Sequence, residues 1–425
     1  MNANEFLTKN SILKMKEEVE VSEFDGDFEK TTYLIRLDNR HWKVSKIIYY
    51  IFCAIDGTRN LSDIKEYLYT EHSINIGEQE LETIIDKAFV QNGLLEGTTA
   101  STSPPENKML WGKFTLISPN IIKKFRFLNF MFKKSQMIIF SSIVLLWMLY
   151  IFSTNSNISV VNEMYGLDIK EIIICYMFIS AMGIAHELGH SVATMFYNVE
   201  PGRIGIGVYF IMPILFSDVT KIWRLKRHQR VIVDIGGMYF QGIALVISFL
   251  INTFFVKSNL LNIAILMSGF QLFGNFNPFI KFDGYWVLSD YLGTTEIRTV
   301  MFELWVDLFN KILGKKQKYT GFSKVKKVIL YIYSICTILF FGYFFKFLIQ
   351  TLIVGIHNIS SDISLFIKFF PYGIEFSFNA IQQYLSNRLT TFIALSFFAR
   401  TIWRYIIKNI YNWLKCKLVH AKAIN

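Results

Sequence analysis

Apolar positions along this chain follow two different patterns. From residue 136 onward they run together in blocks near 136–153, 170–194, 231–255, 259–281, 327–355 and 388–411. At a rise of about 1.5 Å per residue, blocks of this length cross a hydrocarbon layer of about 30 Å as helices. Before residue 97 the apolar positions are short and periodic. "TTYLIRL" (31–37) and "HWKVS" (41–45) alternate and are parted by "DNR", which predicts a hairpin. "KIIYYIFCAI" follows with helical character and stops at Asp56-Gly57. "LSDIKEYLYTEH" starts again behind Asn60 and Ser62, with Asp63 and Glu66 in the acid-favouring first turns. In "EQELETIIDKAFVQNG", Leu81, Ile84, Ile85 and Ala88 share one stripe and Gly93 ends the helix.

These patterns divide the chain. Residues 1–97 read as a small α+β domain, strands first and three helices after. Residues 98–135 read as a linker and a basic interfacial segment. "GTTASTSPPE" has linker composition, and "NIIKKFRFLNFMFKKS" (120–135) mixes basic and aromatic residues. It predicts either a helix lying on a membrane surface or the positive flank of the next span. Residues 136–414 form the membrane domain and 415–425 a tail. The fold class is therefore mainly α: a polytopic membrane helical bundle of about six spans with a small N-terminal α+β domain. One apolar stretch, "RIGIGVYFIMPILF" from Arg203, is too short to span as a helix. Its Ile204, Ile206, Val208 and Phe210 alternate with Gly and Tyr, which is strand periodicity.

Composition agrees. Hydrophobic residues make up 52% of the 425, including 41 Phe, too many for an ordinary soluble protein. The formal net charge of +11 is concentrated beside the apolar blocks, in "KKFRFLNFMFKKS", "KIWRLKRHQR", "KILGKKQKY" with "SKVKK", and "KCKLVHAK". Six spans put all four stretches on one side, so both termini are expected in the cytoplasm, with the chain in the cell membrane and lipid as a partner. No nucleic-acid motif accompanies the charge, and nucleic acid is not expected as a partner. The start "MNANEFLTKN" opens no apolar signal core, so the first hundred residues are expected to stay cytoplasmic. Cys53, Cys175, Cys336 and Cys416 lie far apart without CxxC spacing, which argues against a disulfide framework and against a thiolate metal site.

The candidate chemistry lies in "GIAHELGH" (183–190), inside an apolar block. Ionisable residues within a span are costly and mark function. His186 and His190 are four apart and share one helix face. H-E-x-x-H is the spacing by which two imidazoles hold one Zn2+ while the Glu, here Glu187, acts as base. A catalytic zinc takes three protein ligands, and Asp218, Asp234, Asp283 and Asp290 are the available carboxylates. "GNFNPFIKFDGYW" favours Asp283: Asn277-Pro278 breaks an apolar helix, and irregular backbone at membrane depth is tolerated only where it lines a cavity. The span from residue 170 enters from outside and carries His186 about 24 Å inward. The block from 259 also starts outside, so Asp283 reaches the same inner side. Asp290 reads as a solvated loop acid. Asp234 reads as a support for a histidine or, preferentially, as a pair with Arg230 at the membrane edge.

HELGH in one span, with Asn275, Pro278, Asp283 and Gly284 forming N-x-x-P-x-x-x-x-D-G in a later one, resembles the site-2 protease family of membrane zinc metalloproteases. The "DGYW" ending is similar to the peptide zinc metalloprotease branch. The resemblance implies that Asp283 is the third zinc ligand and that Asn275 contacts substrate backbone, with Asn277 read alongside it as substrate-binding. It also implies a re-entrant hairpin beside the metal, where an edge strand carrying Ile206 and Val208 holds an extended substrate. The N-terminal "YLIRL", "HWKVS", "DGTRNLSDI" and "GLLE" resemble the PqqD-like peptide-recognition fold, a small winged-helix domain. This implies capture of a leader peptide by strand addition, in a groove between Trp42–Val44 and the helix 79–91. The combined expectation is a metalloendopeptidase that matures a ribosomally made, modified precursor peptide. The alternatives are regulated intramembrane cleavage of a signalling protein, or a non-catalytic immunity or transport partner, against which the intact Glu187 argues.

Overall fold

The computed structural model describes residues 11–26, 32–37, 40–100, 110–154, 167–209, 212–294, 296–315 and 322–357. The span expected near 388–411 and the tail 415–425 lie outside them. The chain divides into two compact units between Leu330 and Tyr331, and everything that builds the site belongs to the first.

The N-terminal domain opens with an antiparallel sheet, β1 (Glu20–Phe24), β2 (Thr32–Leu37) and β3 (Arg40–Ser45), in the order β1-β2-β3. The predicted hairpin is β2–β3, with Tyr33 opposite Val44 and Ile35 opposite Trp42. β1, "EVSEF", is too polar to announce itself; it gains strand character from pairing with β2. Three helices follow, α1 (Lys46–Ala54), α2 (Leu61–His72) and α3 (Glu78–Ile85), the last running on through a π-helical turn, Asp86–Val90. Asn60 caps α2 through Ser62 and Asp63, and Asp63 returns the bond to the Asn60 backbone. Gly93 ends the last helix at φ +70°, a conformation other residues adopt only with strain. Ile35, Ile51, Ile64, Leu68, Leu81, Ile85 and Phe89 are all fully buried between sheet and helices. Each contributes roughly 1.5–3 kcal/mol, which gives the domain a core of its own.

Among the described residues, four helices are long and apolar enough to cross a membrane. They are α4 (Lys134–Thr154), α5 (Ile169–Phe196), α6 (Arg227–Ile251) and α10 (Lys324–His357). The block expected to span 259–281 does otherwise. It forms α7 (Asn259–Asn275), a turn, and α8 (Asp283–Leu292), followed by α9 (Ile297–Ile312). Pro278 is the physical reason, because it lacks an N–H and its ring opposes the preceding turn.

A second antiparallel sheet has the order β4-β5-β6, from β4 (Leu110–Ile117), β5 (Ile204–Tyr209) and β6 (Met212–Ser217). The alternation after Arg203 is thus strand, as expected. β4 falls in the segment read as linker and interfacial helix. Phe114 and Leu116 stay exposed on it, so the strand shows little amphipathic signal and depends on pairing with β5, some ninety residues on. The basic stretch that follows is a short helix, Pro119–Ile122, and a 3-10 helix, Lys123–Phe132. Ile122, Met131 and Phe132 bury against Val192, Ala193, Tyr239 and Phe240 of α5 and α6. The segment is therefore packed on the bundle as well as basic.

α5 and α6 meet backbone to backbone. A Cβ on Gly189 would lie 2.2 Å from the Gly236 carbonyl oxygen, so small residues set the crossing. This contact lies within the HELGH turn and brings α6 directly beneath it.

Candidate metal centre

α5 is fixed at its start by a reciprocal cap between Asp168 and Glu171. Eighteen residues after Asp168, His186 points from the helix, with His190 one turn further on the same face. Both rings are buried, and their Nε2 atoms are 3.2 Å apart. Asp283, first residue of α8, brings Oδ2 to 2.8 Å from His186 Nε2 and Oδ1 to 3.6 Å from His190 Nε2. The three ligand atoms lie within 4.8 Å of one another, and this is the one such His/Cys/Asp/Glu group among the described residues.

The donor set fits zinc. Tetrahedral bonds of about 2.0–2.2 Å separate ligand atoms by about 3.3–3.6 Å. The 3.2 and 3.6 Å separations lie near that range, and the 2.8 Å approach of Asp283 to His186 is shorter. The other ring nitrogens are committed elsewhere. His190 Nδ1 is 2.8 Å from the Val233 carbonyl, which can only accept, so Nδ1 carries the hydrogen. His186 Nδ1 is 2.9 Å from Gln241 Oε1, and the Gln241 amide nitrogen faces Ser268 Oγ and Gln271 Oε1, each at 3.4 Å. Both tautomers therefore leave the Nε2 lone pairs free and aimed at Asp283. Space is reserved as well. A Cβ on Gly237 would fall 2.3 Å from His190 Nε2 and 2.6 Å from His186 Nε2, in the volume where an ion would sit. Glu187, between the two histidines in sequence, is half-buried.

Asp283 is held by the turn before it. Asn277 Oδ1 accepts the Phe279 N–H at 2.8 Å, and Gly284 packs so tightly that a Cβ would lie 2.3 Å from the Phe276 carbonyl oxygen. Behind it, two expectations about acids are corrected. Arg230, 1% exposed, pairs with Asp290 at 2.8 Å, and not with Asp234. Asp290 is therefore a mostly buried partner on α8, two turns after Asp283, and no loop acid. Asp234, half-buried, instead keeps its Oδ2 buried without a hydrogen-bond partner among the described residues. Arg230 also donates to the Leu225 and Asp25 carbonyls, each at 2.8 Å, with Phe24 and Trp223 rings 5.1 and 5.7 Å from its guanidinium carbon. Asp25 accepts from the Arg227 side chain at 2.8 Å. Burial disfavours its charge, but the Arg227 hydrogen bonds and the Arg227 and Arg230 charges prevail and hold its carboxyl below the usual aspartate range. The N-terminal domain is thus docked, through Phe24 and Asp25, on the residue that braces α8.

The remaining sequence-predicted residues are placed as follows. Asn275 ends α7, half-buried, and Asn277 spends its side-chain oxygen on the turn. Ile206 and Val208 lie on β5, the central strand. β4 and β6 occupy both its edges, which corrects the reading of this strand as the substrate-holding edge. Among the described residues, the outer edge of β6 pairs with no strand, and it lies near the candidate metal centre: its Leu215 lies against Gly183, one turn before His186, where a Cβ would approach Leu215 Cδ1 to 2.7 Å. β3 is an edge strand, but Val44 is 8% exposed within the domain core and Trp42 packs against that core. What β3 can offer a partner is main chain. Asp218, at the end of β6, is bound up with Thr220. Gln241, the Val233 carbonyl and Gly237 were not singled out from sequence. A glutamine four residues after a glycine pair, inside an apolar span, was the available signal.

No family model matches the chain, and no solved structure does. Over 151 residues it is 25% identical to a protein of Bacillus subtilis (strain 168) that carries the provisional name peptide zinc metalloprotease protein YydH. The similarity supports a zinc metalloprotease. The matched stretch covers 35% of this chain and 59% of that protein, so the chain spans less than two thirds of the relative's length.

Proposed function

We propose that this protein is a membrane-embedded zinc metalloendopeptidase of the site-2 type, which cleaves a ribosomally made, modified precursor peptide. The observation that carries the reading is the convergence of two tautomer-fixed His Nε2 atoms and the Asp283 carboxylate around a space kept open by Gly237. A zinc ion held there supplies Lewis acidity toward a peptide carbonyl and toward water. Every other role belongs to the chain. His186, His190 and Asp283 hold the ion. Glu187 takes a proton from the attacking water and returns it to the departing amine. The edge of β6, alongside Gly183, aligns the substrate as an added strand, because a helical substrate has its carbonyls tied up in i to i−4 bonds. Asn275 and Asn277 lie close in sequence to Asp283 and contact substrate backbone.

The N-terminal domain captures the leader of the precursor by strand addition at β3, in the PqqD-like manner. Tethering capture to the membrane domain raises the local concentration of the scissile segment to about the millimolar range. Cleavage of the full precursor by the full-length protein in lipid nanodiscs tests the reading. Hydrolysis should stop with a zinc chelator and return with added zinc. Hydrolysis indifferent to chelation would contradict it.

A further inference from the structure

A cavity of about 510 Å³ lies between the N-terminal domain and the foot of the second sheet, a volume in the range of ligand sites. Arg36 and Arg40 line it from the β2–β3 hairpin, and Lys123, Arg203, Lys221 and Arg224 from the membrane domain. Only Glu200 and Asp218 line it as carboxylates. Local pairing does not neutralise this charge. Glu200 is shared by Lys123 at 3.0 Å and Lys221 at 3.2 Å, and its exposure makes both pairs weak. Arg203 donates to the Thr115 hydroxyl and Arg224 to the Asn198 carbonyl, each at 3.0 Å, and both acceptors are neutral. Arg36 has Glu20, yet the cations still outnumber the carboxylates.

The position of the cavity is as informative as its charge. Its lining residues Arg203 and Asp218 close the open end of the β5–β6 hairpin, the Asp218 N–H donating to the Arg203 carbonyl at 2.9 Å. Three residues along β6, about 10 Å away, Leu215 meets Gly183 beside the metal centre. The opposite wall includes His41 of β3, which stacks on Trp223 at 6.0 Å. The cavity therefore lies at the foot of β6 and beside β3, two strands whose outer edges pair with no strand among the described residues.

We propose that this cavity binds an acidic stretch of the peptide substrate, seating two or more carboxylates against Arg40, Arg203 and Arg224 while the main chain runs on to β6. Arg203 and Arg224, bound here to neutral oxygens, and Arg40, which lines the same cavity, suit carboxylates, which guanidinium groups grip with charge-assisted bonds. A lipid headgroup is the lesser fit, because one wall belongs to a domain without an apolar span and the site is continuous with strand edges. The inference rests on the protease reading for its substrate but is tested by binding alone.

The test uses the full-length Glu187→Gln variant in nanodiscs of zwitterionic lipid, with fluorescence anisotropy as readout. The probes are a fluorescein-labelled (Gly-Glu)5 peptide and its (Gly-Lys)5 counterpart. The glutamate probe should bind, and the lysine probe should not. Arg40→Ala/Arg203→Ala should weaken glutamate-probe binding about tenfold or more, while Arg40→Lys/Arg203→Lys stays within about threefold. Zinc content, measured alongside, should not change and certifies the fold. Equal binding of the two probes, or an alanine variant that binds like its parent, overturns the proposal. So does a variant that keeps peptide affinity but loses capture by phosphatidylglycerol vesicles, since that marks a headgroup site. Failure of the wild-type protein to cleave any precursor would remove the protease reading and leave this binding result standing.

Discussion

At the scale of single residues, the candidate metal centre depends on groups that would not touch the metal. Gly237 keeps the volume between the two imidazoles empty, and Gln241 and the Val233 carbonyl decide which ring nitrogen keeps its lone pair. Gly237→Ala should abolish stoichiometric zinc, because its Cβ would overlap both Nε2 positions. Gln241→Leu removes the acceptor of the His186 Nδ1–H in a buried site and should weaken zinc binding about 10–100-fold, whereas Gln241→Glu, which still accepts, should retain most of it. Competition against a chromophoric chelator measures both, and wild-type affinity in Gln241→Leu would show that the contact orients nothing. The HELGH pair was legible in the sequence because its partners are four residues apart. Gln241 was not, because 55 residues separate it from His186 and only the α5–α6 crossing brings them together.

At the scale of elements, α8 links the candidate metal centre to domain docking. Asp283 stands at its first residue and Asp290 two turns later, and Asp290 is held by the same buried arginine that donates to the Asp25 carbonyl. Arg230→Met leaves Asp290 without its partner and should cost about 3–5 kcal/mol of stability. Adding Asp290→Asn should recover part of that loss, so a thermal-unfolding double-mutant cycle should give a coupling of at least about 1 kcal/mol. Strict additivity would mean that the pair does not brace α8. The sequence favoured Asp234 over Asp290 for this arginine because Asp234 lies one turn away on the same helix. The observed pairing is tertiary and has no local signature. β4 escaped for a similar reason: its exposed Phe114 and Leu116 gave no amphipathic face, and its partner strand lies beyond α4 and α5. Pro278 worked the other way, since one residue's chemistry announced a broken helix where hydropathy alone predicted a span.

At the scale of the whole molecule, the patterning of apolar residues marked out a small N-terminal region with its own core ahead of the long apolar helices, and the first five of the six expected blocks carry helices, the fourth of them broken after Asn275. The proposed division of labour assigns recognition to the N-terminal domain and chemistry to the bundle. Free leader peptide should then compete with the full precursor, raising its apparent KM while leaving kcat unchanged, and should not affect cleavage of a leaderless substrate. Steady-state kinetics with both substrates decides this. Inhibition of both to the same extent would place the leader at the metal centre, and no inhibition of either would leave the N-terminal domain without a capture role. The central claim, that His186, His190 and Asp283 hold a catalytic zinc for Glu187 to work beside, is tested most directly by measuring zinc content and precursor cleavage together in two variants. Glu187→Gln should retain about one zinc per chain and lose cleavage, because an amide cannot take the proton, while His186→Ala/His190→Ala should lose both. Cleavage at the wild-type rate in Glu187→Gln, or full zinc in the double histidine variant, would contradict the account.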